Sequence, residues 1–160
     1  MKRAWHGWAM AGVLGGAGVA QADFAPGTTN TVFAEGTSGA SYLLYLPTSY
    51  DPGDPGPLML YFDPGANSGY GMEKLRPSCE AAGWALACAN ELRNESIPNQ
   101  ALKIREIMDD VRRRVAHDRA RFYLAGLSGG SWRAQTLSRE CWGEAAGVLL
   151  VGCWIGDYDD

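Results

Sequence analysis

Four uncharged, almost wholly apolar runs of strand length constrain this 160-residue chain most: Leu58–Phe62, Trp84–Ala89, Phe122–Ala125 and Gly147–Val151. A strand wet on one face alternates apolar and polar residues, whereas one that is apolar throughout must be covered on both faces. The segments between the runs supply the cover. Ala101–Ala116 places Ile104, Ile107, Met108, Val111 and Val115 at steps of three and four, with Lys103, Arg105, Asp109, Arg112 and Arg113 on the other faces. Lys74–Ala82 and Trp132–Arg139 read as shorter helices. This alternation predicts an α/β fold, a three-layer αβα sandwich around a mostly parallel, doubly wound sheet. Tyr42–Leu46 is a further strand stopped by Pro47, and Thr31–Phe33 a short one in an otherwise loose Asp23–Ser41 segment. Asp51-Pro-Gly-Asp-Pro-Gly-Pro57 and Asp63-Pro64-Gly65 are turns.

Residues 1–22 read as a secretory signal peptide. Lys2 and Arg3 supply the positive start, Ala9–Ala20 is uncharged and mostly apolar, and Ala20-Gln21-Ala22 is a small-x-small cleavage pattern before Asp23. The apolar part is well short of the roughly 20 residues of a membrane-spanning helix, so no integral membrane segment is expected after cleavage. The expected compartment is periplasmic or extracellular, with residues 23–160 forming one domain. Without Lys2 and Arg3 the remainder holds 12 Lys and Arg against 18 Asp and Glu, a net charge of −6. Such an acidic chain is a poor non-specific nucleic-acid binder. Arg112-Arg113-Arg114, its one basic run, is expected to face solvent in the last turns of a helix, where cations suit the dipole.

Cys79, Cys88, Cys141 and Cys153 all follow the leader, and in an exported protein they permit two disulfides in any of three pairings. Cys79 with Cys88 and Cys141 with Cys153 are the sequence-near pairs; small buried hydrophobes are the alternative. Neither CxxC nor a Cys/His zinc spacing is present, and only two histidines occur, His6 and His117. No metal or organic cofactor is expected.

Gly126-Leu127-Ser128-Gly129-Gly130 matches G-x-S-x-G, with the Arg121–Ala125 strand directly before it and the Ser131–Arg139 helix directly after it. The spacing has a steric cause. A serine held on a tight strand-to-helix turn leaves no room for side chains two residues to either side, and Gly126 and Gly130 have none. The turn lifts the Ser128 hydroxyl above the sheet edge at a helix N-terminus, where free N–H groups favour negative charge. The N–H of Gly129 is then a candidate donor to the oxyanion of a tetrahedral intermediate.

At these residues the chain resembles the α/β-hydrolase superfamily, in particular secreted serine esterases similar to polyhydroxyalkanoate depolymerases and feruloyl esterases. Tyr61-Phe62-Asp63-Pro64-Gly65-Ala66, Ala81-Ala82-Gly83-Trp84-Ala85-Leu86 and Arg121–Gly130 carry the resemblance, which spans Tyr42 to Cys153. It implies a carboxylic-ester hydrolase acting on a small-molecule or polymeric ester, with Ser128 as nucleophile. It also implies a second oxyanion N–H from the loop after the third strand, here Gly65 or Ala66, since Pro64 has none. Many members begin this loop with His-Gly, where this chain has Asp63-Pro64.

A serine nucleophile needs a general base, usually a histidine oriented by a carboxylate. In this fold the order is Ser, acid, His, yet no histidine follows Ser128. His117 precedes the nucleophile strand and is expected at its far end, closing the helix. Asp157 falls after the sixth strand, where some members place the acid; a solvated acidic terminus with Asp159 and Asp160 is the alternative. Glu91 and Glu95 are expected near the active edge, as substrate contacts or as exposed loop. Trp132 reads as helix packing or as a substrate platform. The chain is thus expected to hold the N-terminal two-thirds of a hydrolase, C-terminally truncated and weak or inactive alone. A non-catalytic exported binding protein on the same scaffold, or an acyltransferase using the same elbow, are the alternatives.

Overall fold

The computed structural model describes residues 24–95, 98–141, 143–153 and 155. The leader at 1–22 and Asp157 lie outside them, as do Asp159 and Asp160. Strands β1 (Thr29–Phe33), β2 (Ser41–Tyr45) and β3 (Leu58–Phe62) come first. They are followed by α1 (Ser68–Ala82), β4 (Ala85–Ala89), α2 (Gln100–Arg114), β5 (Phe122–Leu127), α3 (Gly129–Glu140) and β6 (Gly147–Val151). The strands form one sheet in the order β1-β2-β4-β3-β5-β6. β4, β3, β5 and β6 are parallel to one another, while β1–β2 and β2–β4 are antiparallel.

Period-two alternation divides the central strands between two cores. Leu58, Leu60 and Phe62 of β3 and Ala85, Ala87 and Ala89 of β4 point to one face, packing with Ile104, Ile107, Met108 and Val111 of α2 and Ala134 and Leu137 of α3. Met59, Tyr61, Leu86 and Cys88 point to the other, against Met72 and Cys79 of α1. Both faces of the central strands are covered, which gives the expected three-layer α/β architecture; β6, at the edge of the sheet, departs from it, with Leu149 and Val151 exposed. Among the described residues no helix is long and apolar enough to cross a membrane.

Helix α1 begins at Ser68, six residues before the expected start at Lys74. Its opening Ser-Gly-Tyr-Gly has poor helix propensity. It forms because the Asn67 side chain accepts from the N–H of Tyr70 at 3.0 Å and because Gly71 lies against the Tyr61 ring, where a Cβ would sit 2.3 Å from ring atoms. Pro77 sits inside the helix, which ends at Gly83 with φ 70°.

The arginine run departs from its expected solvent-facing role. Asp110, fully buried on α2, accepts from Arg113 at 2.9 Å, from Arg114 at 3.0 Å, from the Tyr42 hydroxyl at 2.8 Å and from the Glu35 N–H at 3.2 Å. Arg112 pairs with Glu144. A buried carboxylate needs such partners, and these tie the helix to β2 and to the loop after β1. Burial alone would raise the Asp110 carboxyl. Hydrogen bonds from Arg114 and Tyr42 outweigh it and hold the group below the ordinary carboxylate range.

Neither sequence-near disulfide forms: Cys79 and Cys88 are buried thiols among apolar neighbours, Cys141 is buried with Arg105 donating to its sulfur at 2.8 Å, and Cys153 is half-buried. Burial pushes the Cys79 thiol up to about 11.

Candidate active site

Strand β5 ends at Leu127, and Ser128 turns the chain directly into α3 with φ 50° and ψ −119°, outside the regions L-residues favour. Its side chain makes no capping hydrogen bond and is exposed. The glycines around it answer to sterics. A Cβ on Gly126 would lie 2.2–2.4 Å from backbone atoms of Gly130 and Ser131, and one on Gly130 would lie 2.1 Å from the carbonyl oxygen of Phe62. Strand, turn and helix touch backbone to backbone. Gly129 differs, since its Cβ would meet only the Asn94 side chain, 1.9 Å from Oδ1.

Ser131, a residue the sequence did not single out, holds this turn in place. It is fully buried, its hydroxyl donates to the carbonyl of Gly126, and it accepts from the N–H of Val151 at 2.9 Å. The N–H of Ser128 donates to the Val151 carbonyl at 2.7 Å. Both backbone polar groups of the last residue of β6 are therefore spent on the elbow. The N–H of Gly129 opens α3, so it is among the four that a helix leaves without an internal partner.

The loop after β3 lies beside the elbow, with Phe62 against Gly130. Asp63, 6% exposed, replaces the expected His-Gly opening with an internal staple: its Oδ1 accepts from the N–H of Gly65 at 2.8 Å and of Asn67 at 3.1 Å. The N–H of Ala66 donates to the Asp63 carbonyl at 3.2 Å, and Ala66 itself has φ 58°. Both expected loop donors thus have partners within the loop in this conformation, that of Ala66 at the longer distance. Burial and the nearby Asp63 charge push the Tyr61 phenol well up.

The segment after β4 completes the edge. The N–H of Asn94 donates to the Pro64 carbonyl at 2.8 Å, and Arg93 forms an antiparallel bridge with Gly65. Between this segment and α3 lies an open cleft of about 550 Å³ lined by Leu92, Arg93, Asn94, Ser128, Gly129, Trp132 and Arg133. Trp132, half-buried, is thus a wall of the cleft. Glu91 is drawn away from it, bonded to Lys103 at 2.9 Å and to the Ser41 hydroxyl at 3.2 Å, and Glu95 is exposed.

His117 is not brought to Ser128. It follows α2 at the opposite end of the sheet, where the neighbouring Asp118 N–H donates to the Gly56 carbonyl just before β3. Its Nδ1 lies 2.8 Å from the Val115 carbonyl, its Nε2 has no hydrogen-bond partner among the described residues, and burial lowers its pKa. Phe122–Leu127 separates it from Ser128, a strand length of roughly 17–20 Å. Among the described residues no three His, Cys, Asp or Glu side chains are grouped to hold a metal ion.

No protein-family model matches the chain, and no curated protein matches it either. Solved structures do. A thermophilic, thermostable carboxylesterase, EstE1, cloned from a metagenomic library, superposes with a TM-score of 0.62 at 16% identity, over 78% of this chain and 46% of that one. An arylesterase gives 0.62 at 14% identity, over 84% and 48%. Esterase 2 of Thermogutta terrifontis, in a form phosphonylated by sarin, gives 0.59 at 14% identity, over 85% and 61%. At these identities the likeness establishes a shared fold. The chain spans about half the length of the esterases it matches.

Proposed function

We propose that this chain is the nucleophile-bearing part of an exported serine hydrolase that cleaves carboxylic esters. One observation carries the reading: an exposed serine whose side chain makes no capping hydrogen bond, on a strained strand-to-helix turn, followed by a helix-opening N–H and lining a cleft. The esterase fold of its structural neighbours is consistent with it. In the proposed reaction the Ser128 oxygen attacks the acyl carbon, and its proton passes to a base. The tetrahedral oxyanion is held by the Gly129 N–H and by the loop after β3. We assign Ala66 there, because its 3.2 Å bond to the Asp63 carbonyl is more readily exchanged for an oxyanion than the 2.8 Å bond of Gly65 to the Asp63 carboxylate. Collapse expels the alcohol, and water then releases the acid and regenerates the serine.

The proton acceptor is not His117, and the only other histidine, His6, belongs to the proposed leader. We therefore assign the base to sequence that this chain does not contain, with Asp157 as a candidate acid. The chain alone is then a weak catalyst, since loss of a triad member still leaves about 10³–10⁴-fold over water. Export is part of the proposal and rests on Met1–Ala22, with Asp23 as the expected first residue of the secreted protein.

The missing base favours a second reading, an exported binding protein that keeps the scaffold without turnover. Prolonged incubation with a fluorophosphonate, read by peptide mass spectrometry, separates the two. Under the hydrolase reading an adduct forms on Ser128 and is absent from Ser128→Ala. Equal labelling of both proteins would remove Ser128 from the mechanism.

A further inference from the structure

We infer that the cleft beside Ser128 selects esters that carry a free carboxylate, recognised by the guanidinium groups of Arg93 and Arg133. This rests on the hydrolase reading and names its substrate class. Both arginines line the cleft from opposite walls, Arg93 from the segment after β4 and Arg133 from α3. Neither has an ion-pair partner among the described residues, in a chain of net charge −4 whose other arginines are largely committed. Arg105, Arg112, Arg113, Arg114 and Arg121 each pair with a carboxylate.

Among the described residues, the acids nearest the cleft are accounted for elsewhere. Asp63 is occupied by its own loop, and Glu91 is bonded to Lys103 and Ser41. Glu95 is exposed and not part of the lining. The described cleft is therefore a concavity with two uncompensated positive charges and no negative one. Low-dielectric walls strengthen such a field locally against an acidic background, and a guanidinium fork matches a carboxylate in shape as well as charge. Arg93 is held in register by the backbone bridge of its own residue to Gly65, so the loop that flanks the elbow also carries a charge for recognition. Half-esters of dicarboxylic acids have the required chemistry: one ester for Ser128 and one carboxylate for the arginines.

The test is a titration of the intact chain, followed through the amide resonances of Asn94 and Gly129, with monomethyl glutarate and with dimethyl glutarate. These differ in one charge and little else. The monoanion should bind about tenfold or more tightly, as charge-assisted hydrogen bonds imply, and added salt should narrow the gap. Arg93→Gln and Arg133→Gln should each erode the preference and together abolish it, with Arg133→Lys retaining part. Equal binding of the two esters, or a preference that survives the double substitution, would overturn the inference. Fluorophosphonate labelling is scored separately. A preference without labelling leaves the carboxylate site standing and removes the hydrolase reading; labelling without preference does the reverse.

Discussion

The carbonyl oxygen of Phe62, the last residue of β3, lies where only a glycine at position 130 leaves room for it, 2.1 Å from the point a Cβ would occupy. Backbone cannot swing aside as a side-chain tip does. Gly130→Ala should therefore cost about 3 kcal/mol, at the upper end of overpacking penalties, measured as a shift in the urea midpoint. Gly129→Ala meets only the movable amide of Asn94 and should cost less than about 1 kcal/mol. Comparable losses at the two positions would contradict the packing described here.

Ser131→Ala removes the acceptor of the Val151 N–H and the donor to the Gly126 carbonyl while leaving a methyl of nearly the same size. Loss of stability of about 1–3 kcal/mol is expected, the range for stranding buried polar groups. Amide hydrogen exchange at Val151 and Ser128 should accelerate well before exchange in β3 does.

At Ser128 the backbone itself resists the side chain. A non-glycine residue in such a region costs on the order of 1–3 kcal/mol, while glycine brings an entropic penalty of its own. Ser128→Gly should therefore be more stable than Ser128→Ala by about 1 kcal/mol in thermal or urea unfolding, and neither should form the fluorophosphonate adduct.

Acid should weaken the fold in two stages. Burial depresses the His117 pKa in the folded state, so its contribution is complete above the unfolded value near 6.5 and declines as pH falls through the lower folded value. Asp110 is likewise depressed by its partners; its contribution is complete above an unfolded value near 3.9 and declines at lower pH. Urea midpoints against pH should thus lose their first decline in His117→Gln and their second in Asp110→Asn. At pH 7 Asp110→Asn should itself cost about 3 kcal/mol or more, because it unbalances a buried ion pair.

The parts of this fold that depend on burial alone were legible in the sequence. Leu58–Phe62 is a strand to the residue and buried throughout, because a short apolar run flanked by turns has few other uses; Gly147–Val151 is also a strand to the residue, but at the sheet edge, where Leu149 and Val151 stay exposed and the expected double cover is not met. The helix of α2 was equally plain from its period. What escaped depends on meetings between distant residues. The Ser68-Gly-Tyr-Gly opening of α1 looks like loop until the Tyr61 ring is placed against Gly71. Asp110 looks like one more charge on a polar face until Tyr42, 68 positions earlier, is found donating to it. At the candidate site, G-x-S-x-G is local and could be read. Arg93, Asn94 and Ser131 owe their places to β4, β6 and the loop after β3, and no spacing signals that.

The ties that hold position 128 in its strained shape are not made by its hydroxyl. They come from a buried serine three residues on, from two glycines without side chains, and from the backbone of β6. Under the proposed function, shape and reactivity are thus separately inherited: losing or regaining the nucleophilic oxygen takes a single codon and leaves those ties in place, which allows one scaffold to pass between turning a substrate over and merely holding it.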